Sequence, residues 1–231
     1  DLLVQNGFVG DFAITGEPTD MLVGVAAKGV LAMRILVRGR AAHGATPWLG
    51  ENAILRAFSV FRELESLPFA SESSALYDRP SINLGRILGG DALNKVPDVC
   101  AIDVDVRYLP EQDPEAILEQ VKGIRGAEVV ATFQRAPVLI DPDSPFVRAL
   151  CDAASAHHTR GVTSVGRDGA SDAVSFVRAG VPAVEFGPVG AGHHGPDEWV
   201  SVSSLGAYRR TITDFVTTLP ERLASDGGEA T

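Results

Sequence analysis

The sequence has 231 residues, enough for one large domain or two small ones, and its 45% hydrophobic and 22% charged residues are an ordinary globular mix. With 30 acidic against 20 basic side chains the formal net charge is −10, which argues against a broad basic surface for nucleic acid and favours small-molecule or protein partners. No run approaches the about 18 apolar residues of a membrane span. No charged-then-apolar start resembles a signal peptide. Two cysteines, Cys100 and Cys151, suit a reducing cytoplasm better than a disulfide framework. The chain opens on Asp1 and its methionines are Met21 and Met33, so it reads as a fragment or processed piece.

In chain order, Phe8 to Thr15 reads as a short buried strand running into Gly16-Glu17-Pro18-Thr19, which places Glu17 at a strand's C-terminal edge. Val30 to Val37 reads as a second strand, followed by a turn-rich loop from Gly39 to Gly50 that carries His43 and Pro47. Ile54, Ala57, Phe58, Phe61 and Leu64 then recur at helical spacing and stop before Pro68. Phe69 to Arg79 lacks periodicity and predicts an exposed loop. Strands resume at Ser81 and again after Pro97, where Ile102, Val104 and Val106 alternate with Asp103, Asp105 and Arg107, putting Arg107 on a polar face. Asp113-Pro114 starts a helix with an N-cap and a first-turn proline, and Glu128 to Phe133 closes as a strand.

The order from 30 to 134 is therefore β-α-β-β-α-β, the split pattern of ferredoxin-like domains, and it reads as an insertion. Beyond it, Ser144-Pro145 caps a helix with Phe146, Val147, Leu150, Cys151 and Ala154 on one face. Val181 to Phe186 forms an apolar strand, Leu205 to Val216 a last helix, and Ser225 to Thr231 a frayed tail. The fold class is α/β: a partial catalytic layer in two pieces, 1-28 and 135-231, around a ferredoxin-like domain at 29-134.

Several residues could carry chemistry. Glu17 lies at a strand end, where α/β proteins place ligand contacts, although a surface carboxylate before a turn proline is the plainer reading. His193-His194 sits in a glycine-rich loop after a strand, and His157-His158 ends a helix, where the dipole explains it. A carboxylate and an imidazole are ligand types for zinc, but a catalytic zinc takes three protein ligands plus water, so spacing alone does not establish a site. His43 is flanked by small residues that permit close approach of another surface. Arg107 is either in an ion pair with neighbouring aspartates or a fork for a substrate carboxylate. Asn94 caps a turn or bonds a ligand. Gly166 to Asp172 could set backbone N–H groups and Ser171 around an anion, and it lacks the Walker ending of a nucleotide loop.

Taken in register, these segments resemble the M20 family of zinc metallopeptidases and amidohydrolases, over roughly residues 8 to 218. The resemblance rests on Gly16-Glu17-Pro18-Thr19, Lys28-Gly29 leading to Gly39-Arg40-Ala41-Ala42-His43, and Glu51-Asn52-Ala53-Ile54. It extends through Asn94-Lys95-Val96-Pro97-Asp98 with Asp105-Val106-Arg107, Ser171-Asp172, and Phe186-Gly187-Pro188 ahead of His194-Gly195-Pro196-Asp197-Glu198.

It implies that Glu17 and His194 are zinc ligands in a two-zinc site. It also implies that the domain at 29-134 is a dimerising lid, and that His43 reaches the partner subunit's active site to stabilise the oxyanion. Asn94, Arg107 and Ser171 are implied to bind substrate. The family's first half, with its H-x-D motif, bridging aspartate and Glu-Glu pair, has no counterpart here, so the general base and three of five ligand positions are expected on the intact parent. That parent is expected to be a cytoplasmic homodimer that hydrolyses the amide bond of an N-acyl amino acid or dipeptide-like substrate, of desuccinylase or deacetylase type, the chain alone being inactive. The alternatives are a non-catalytic dimerisation or ligand-binding module, and a full chain clipped by proteolysis with its other half still associated. Loss of central strands is expected to leave Ile14, Val184 and Phe186 open and to drive association.

Overall fold

The computed structural model describes residues 2–157, 163–193 and 195–226. Along the chain come α1 (Leu2–Gln5), β1 (Ala13–Thr15) and β2 (Val23–Ala27), then β3 (Gly29–Arg38), α2 (Ala53–Leu64), β4 (Ser81–Gly89), β5 (Val99–Tyr108), α3 (Pro114–Lys122) and β6 (Glu128–Arg135). The last third holds β7 (Val138–Leu139), α4 (Pro145–Ser155), β8 (Ser164–Arg167), α5 (Val174–Arg178), β9 (Ala183–Glu185), β10 (Gly190–Ala191), β11 (Trp199–Val200) and α6 (Val202–Asp226). Two compact units result: Lys28–Pro137, and the pieces on either side of it. The class is α/β.

In the Lys28–Pro137 unit the strands lie in the order β4-β5-β3-β6, every neighbouring pair antiparallel. One face carries the core: Leu31, Met33, Ile35, Ile102, Val104 and Val106 meet Ala57, Phe61 and Leu64 of α2 and Ile117 and Val121 of α3. Both helices start where the side chains allow it. Asn52 Oδ1 accepts from the N–H groups of Ile54 and Leu55, and Asp113 from Glu115, just before Pro114. Asp103, Asp105 and Arg107 emerge on the opposite, half-exposed face, as the alternation along β5 requires. Gly29 is required by packing, because a Cβ there would meet the buried Tyr108 ring at 2.2 Å.

The expected exposed loop at 69–79 is partly wrong. Phe69 is buried in a short 3-10 turn, Pro68–Ser71, with its N–H and carbonyl bonded to Gln120 and Gln112, and Tyr77 is buried too. The polar letters around them hid two aromatic anchors.

The other unit has a mixed sheet in the order β1-β9-β2-β7, with β8 also on β2. β1 runs parallel to β9 and β2 parallel to β8. The strand expected from Phe8 shrinks to Ala13–Thr15, and β2, buried at every residue, has no counterpart among the expected strands. The expectation of an open apolar face fails for Val184 and Phe186, both fully buried, while Ile14 is half-buried. The reason is local cover: β9 is flanked by β1 and β2, Phe186 lies 5.6 Å from the Tyr208 ring of α6, and Phe12 stacks on Phe146 at 5.1 Å. The final helix is longer than expected and runs through Pro220. Residues 227–231 of the expected frayed tail lie outside the described residues, as do His158 and His194.

Candidate functional site

Glu17 stands two residues past β1, exposed, and among the described residues no hydrogen bond or ion pair engages its carboxylate. Its backbone is held firmly. Thr19, buried, donates its hydroxyl to the Leu22 carbonyl at 2.6 Å and accepts from the Gly187 N–H at 3.0 Å. Asp20 and Met21 both take left-handed backbone conformations, with φ of 55° and 64°, and their N–H groups bond the carbonyls of Pro188 and Gly187. Strained non-glycine residues in succession persist only where neighbours over-determine them.

Gly187 explains why Gly-Glu-Pro-Thr and Phe-Gly-Pro occur as a pair. A Cβ on it would stand 2.2 Å from the Glu17 carbonyl oxygen. Two further residues, read from the sequence with no such role, secure the same turn: Arg167 donates to the Pro18 carbonyl at 2.9 Å and pairs with buried Glu185 at 3.2 Å. Tyr208 lies alongside, its hydroxyl 3.5 Å from where a Cβ of Gly16 would be, and burial holds its pKa above the usual phenol value.

Among the histidines, His193 Nδ1 faces Glu198 at 3.8 Å. His157 pairs with Asp214 of α6, a direct carboxylate partner where the sequence suggested a helix dipole. Ser171 is buried, and its Oγ accepts from the Ala173 N–H at 3.1 Å. Cys100 and Cys151 are free thiols whose pKa burial pushes up, so neither is primed as a nucleophile.

In the Lys28–Pro137 unit, His43 and Asn94 are brought together. His43 bridges Lys95, the Gly44 N–H donates to the Asn94 carbonyl at 2.7 Å, and the Val96 N–H donates to the Ala42 carbonyl at 2.8 Å. Gly44 permits this interlock, since its Cβ would meet the Asn94 backbone at 3.0 Å. Both residues are exposed. His43 Nδ1 accepts from the Ala45 N–H at 3.0 Å, which leaves the proton of a neutral ring on Nε2 as an outward-available donor.

Arg107 is elsewhere. The His43 loop leaves the sheet where Arg38 pairs Val99, whereas Arg107 pairs Val30 at the far end of the same ladder. The eight-residue span from Val99 to Arg107 is about 27 Å of strand, so one chain does not gather Arg107 with His43 and Asn94. Arg107 Nε contacts Asp105 at 2.9 Å, and among the described residues no other hydrogen bond occupies its remaining donors. The expected ion pair exists, within the strand.

Glu17 and His194 are chemically suited to zinc as oxygen and nitrogen donors. Among the described residues, which do not include His194, no three His, Cys, Asp or Glu side chains gather as a metal cluster.

The profile of a peptidase dimerisation domain of M20 type matches residues 25–132. A protein of Mycobacterium tuberculosis named succinyl-diaminopimelate desuccinylase DapE is 30% identical over 202 residues, 85% of this chain. The chain belongs to the M20 family. The M20 chain spans 55% of the length of that relative. It is also 37% identical over 135 residues to a carboxypeptidase-named protein of Emericella nidulans, across 54% of this chain and 32% of that protein. The crystal structure of a tripeptidase from Staphylococcus aureus superposes with a TM-score of 0.74 at 21% identity, covering 91% of this M20 chain and 57% of the other. That likeness concerns the fold.

Proposed function

We propose that the chain is part of a cytoplasmic M20 hydrolase that cleaves the amide bond of an N-acyl amino acid, of desuccinylase or deacetylase type, as a homodimer. The observation that carries the reading is the Glu17 turn: an exposed, unengaged carboxylate on a backbone pinned by Thr19, Gly187 and Arg167. A surface carboxylate with no task needs no strained, multiply fastened turn.

In this reading Glu17 and His194 hold zinc, the remaining ligands and the general base come from outside these 231 residues, and the chain alone is inactive. The metal, when bound, supplies Lewis acidity toward the amide carbonyl. Arg107 clamps the substrate carboxylate with the donors Asp105 leaves free. His43, through Nε2–H, and Asn94 act together as hydrogen-bond donors for the developing oxyanion. Their separation from Arg107 within one chain supports a dimer in which His43 serves the partner subunit's site.

The test is complementation in the whole protein. Glu17→Ala and His43→Ala homodimers are each expected to lose hydrolysis of N-succinyl and N-acetyl amino acids, and mixed subunits to regain part of it, because a hybrid dimer contains one intact site. No recovery on mixing overturns the shared site. Absence of hydrolysis in the unmutated whole protein favours the second reading, a non-catalytic dimerisation module, for which the self-contained core of Lys28–Pro137 is the supporting observation.

A further inference from the structure

Arg167 ends β8 and uses its guanidinium in two directions: Nε faces Glu185 Oε2 at 3.2 Å and Nη2 donates to the Pro18 carbonyl at 2.9 Å. β8 and Glu185's strand β9 are not neighbours, because β2 runs between them. The two side chains meet over Gly24. A Cβ on Gly24 would come within 3.1 Å of both Arg167 Cγ and Glu185 Cβ, so the missing side chain is the gap that lets them touch. The Glu185 side chain is 8% exposed, and a buried carboxylate needs its cation. A planar fork fixed at one nitrogen aims its other donors in a set direction. Here that direction is the carbonyl immediately after Glu17, in the turn that contains left-handed Asp20 and Met21.

We infer that Arg167 is a positioning residue that sets the orientation of Glu17, with Glu185 as its anchor and Gly24 as the opening through which the two meet. The inference rests on the reading of Glu17 as a metal ligand. Arg167 touches neither metal nor substrate in this scheme and acts only through the Pro18 peptide.

The whole protein supplies the test, with zinc affinity measured by chelator competition and backbone hydrogen exchange followed over residues 16–21. Arg167→Lys keeps a cation for Glu185 but cannot hold Glu185 and the Pro18 carbonyl in one geometry. It is expected to keep the melting temperature, to weaken zinc about 10-fold or more, as loss of an outer-shell partner does, and to speed exchange in the turn. The paired replacement Arg167→Met with Glu185→Met leaves no buried charge, guards against simple unfolding, and is expected to do the same. Glu17→Gln is expected to weaken zinc while leaving turn exchange unchanged. Wild-type zinc affinity in both Arg167 variants, alongside a loss in Glu17→Gln, overturns the positioning role and leaves the ligand reading standing. Weakened zinc without faster exchange also overturns it, since the arginine then acts by charge alone. Wild-type affinity in Glu17→Gln removes the ligand reading and the inference with it.

Discussion

The two units build their sheets in contrasting ways. In Lys28–Pro137 the strands are 8 to 10 residues long and pair antiparallel along nearly their whole length. In the other unit no strand among the described residues exceeds five residues, parallel and antiparallel pairs mix, and β1 finds β9 some 170 residues away, Ala13 opposite Ala183. Long ladders with one helix-covered face make a stiff frame, whose exposed chemistry sits on loops at its ends. Short strands closed by side-chain contacts instead put the chemistry into a turn held in tension. Defects in the first should cost folding, and defects in the second should cost function.

The strongest test of that contrast is Leu31→Ala. Leu31 is fully buried in the central strand β3, and truncation there is expected to cost about 2–5 kcal/mol in denaturant unfolding. A loss below about 1 kcal/mol would mean the frame is not stiff. His43→Ala is the counterpart on the exposed loop. It should leave the unfolding midpoint unchanged and lower kcat of the whole protein about 10²–10³-fold, the usual effect of removing one oxyanion donor. A shifted midpoint with unaltered kcat would reverse the assignment.

Gly187→Ala probes the turn in the other unit. Its Cβ would sit 2.2 Å from the Glu17 carbonyl, a backbone contact no rotamer relieves. Overpacking of this kind costs about 1–3 kcal/mol, and because Glu17 must move to accommodate it, hydrolysis should fall by more than stability does. Equal losses in the two would show that the turn is merely structural.

The same contrast governs what the sequence discloses. Alternation along Ile102, Val104 and Val106, the cap at Asn52 and the Asp113-Pro114 start are local signals, and they suffice for the β-α-β-β-α-β order of the frame. β2 carries none of them: Val23-Gly24-Val25-Ala26-Ala27 is buried on both faces and built of small residues, so no period shows. Phe8 and Val9 look like strand and are exposed. Within the site, Glu17, His43 and Asn94 are visible as motifs, whereas the interlock of His43 with Asn94 and their distance from Arg107 are consequences of strand register. The contact of Arg167 with Glu185 is the least legible of all, since it crosses an intervening strand through the absence of a side chain at Gly24.

The smallest expected effect sets that buried pair against an exposed one of the same chemistry. Arg34 holds Asp103 in two hydrogen bonds, of 2.7 and 2.8 Å, between neighbouring strands, and the side chains are 44% and 32% exposed. The hydrogen bond from Arg34 is the main reason the Asp103 carboxyl titrates below its ordinary range. A carboxylate whose pKa is lower folded than unfolded stabilises the fold at pH values above the unfolded value, about 3.9, and that contribution disappears as the pH falls through the folded value. Water and salt screen an exposed pair, so Asp103→Asn should lower stability by less than about 1 kcal/mol at pH 7. The difference from wild type should shrink at high ionic strength and vanish once the pH lies below the lowered folded value, where both chains carry a neutral group. Unfolding curves at pH 7 and below that value, each at low and high salt, measure this. A gap that survives acid would mean that Asp103 contributes by packing, and the frame would then depend on its polar face as the other unit depends on Arg167.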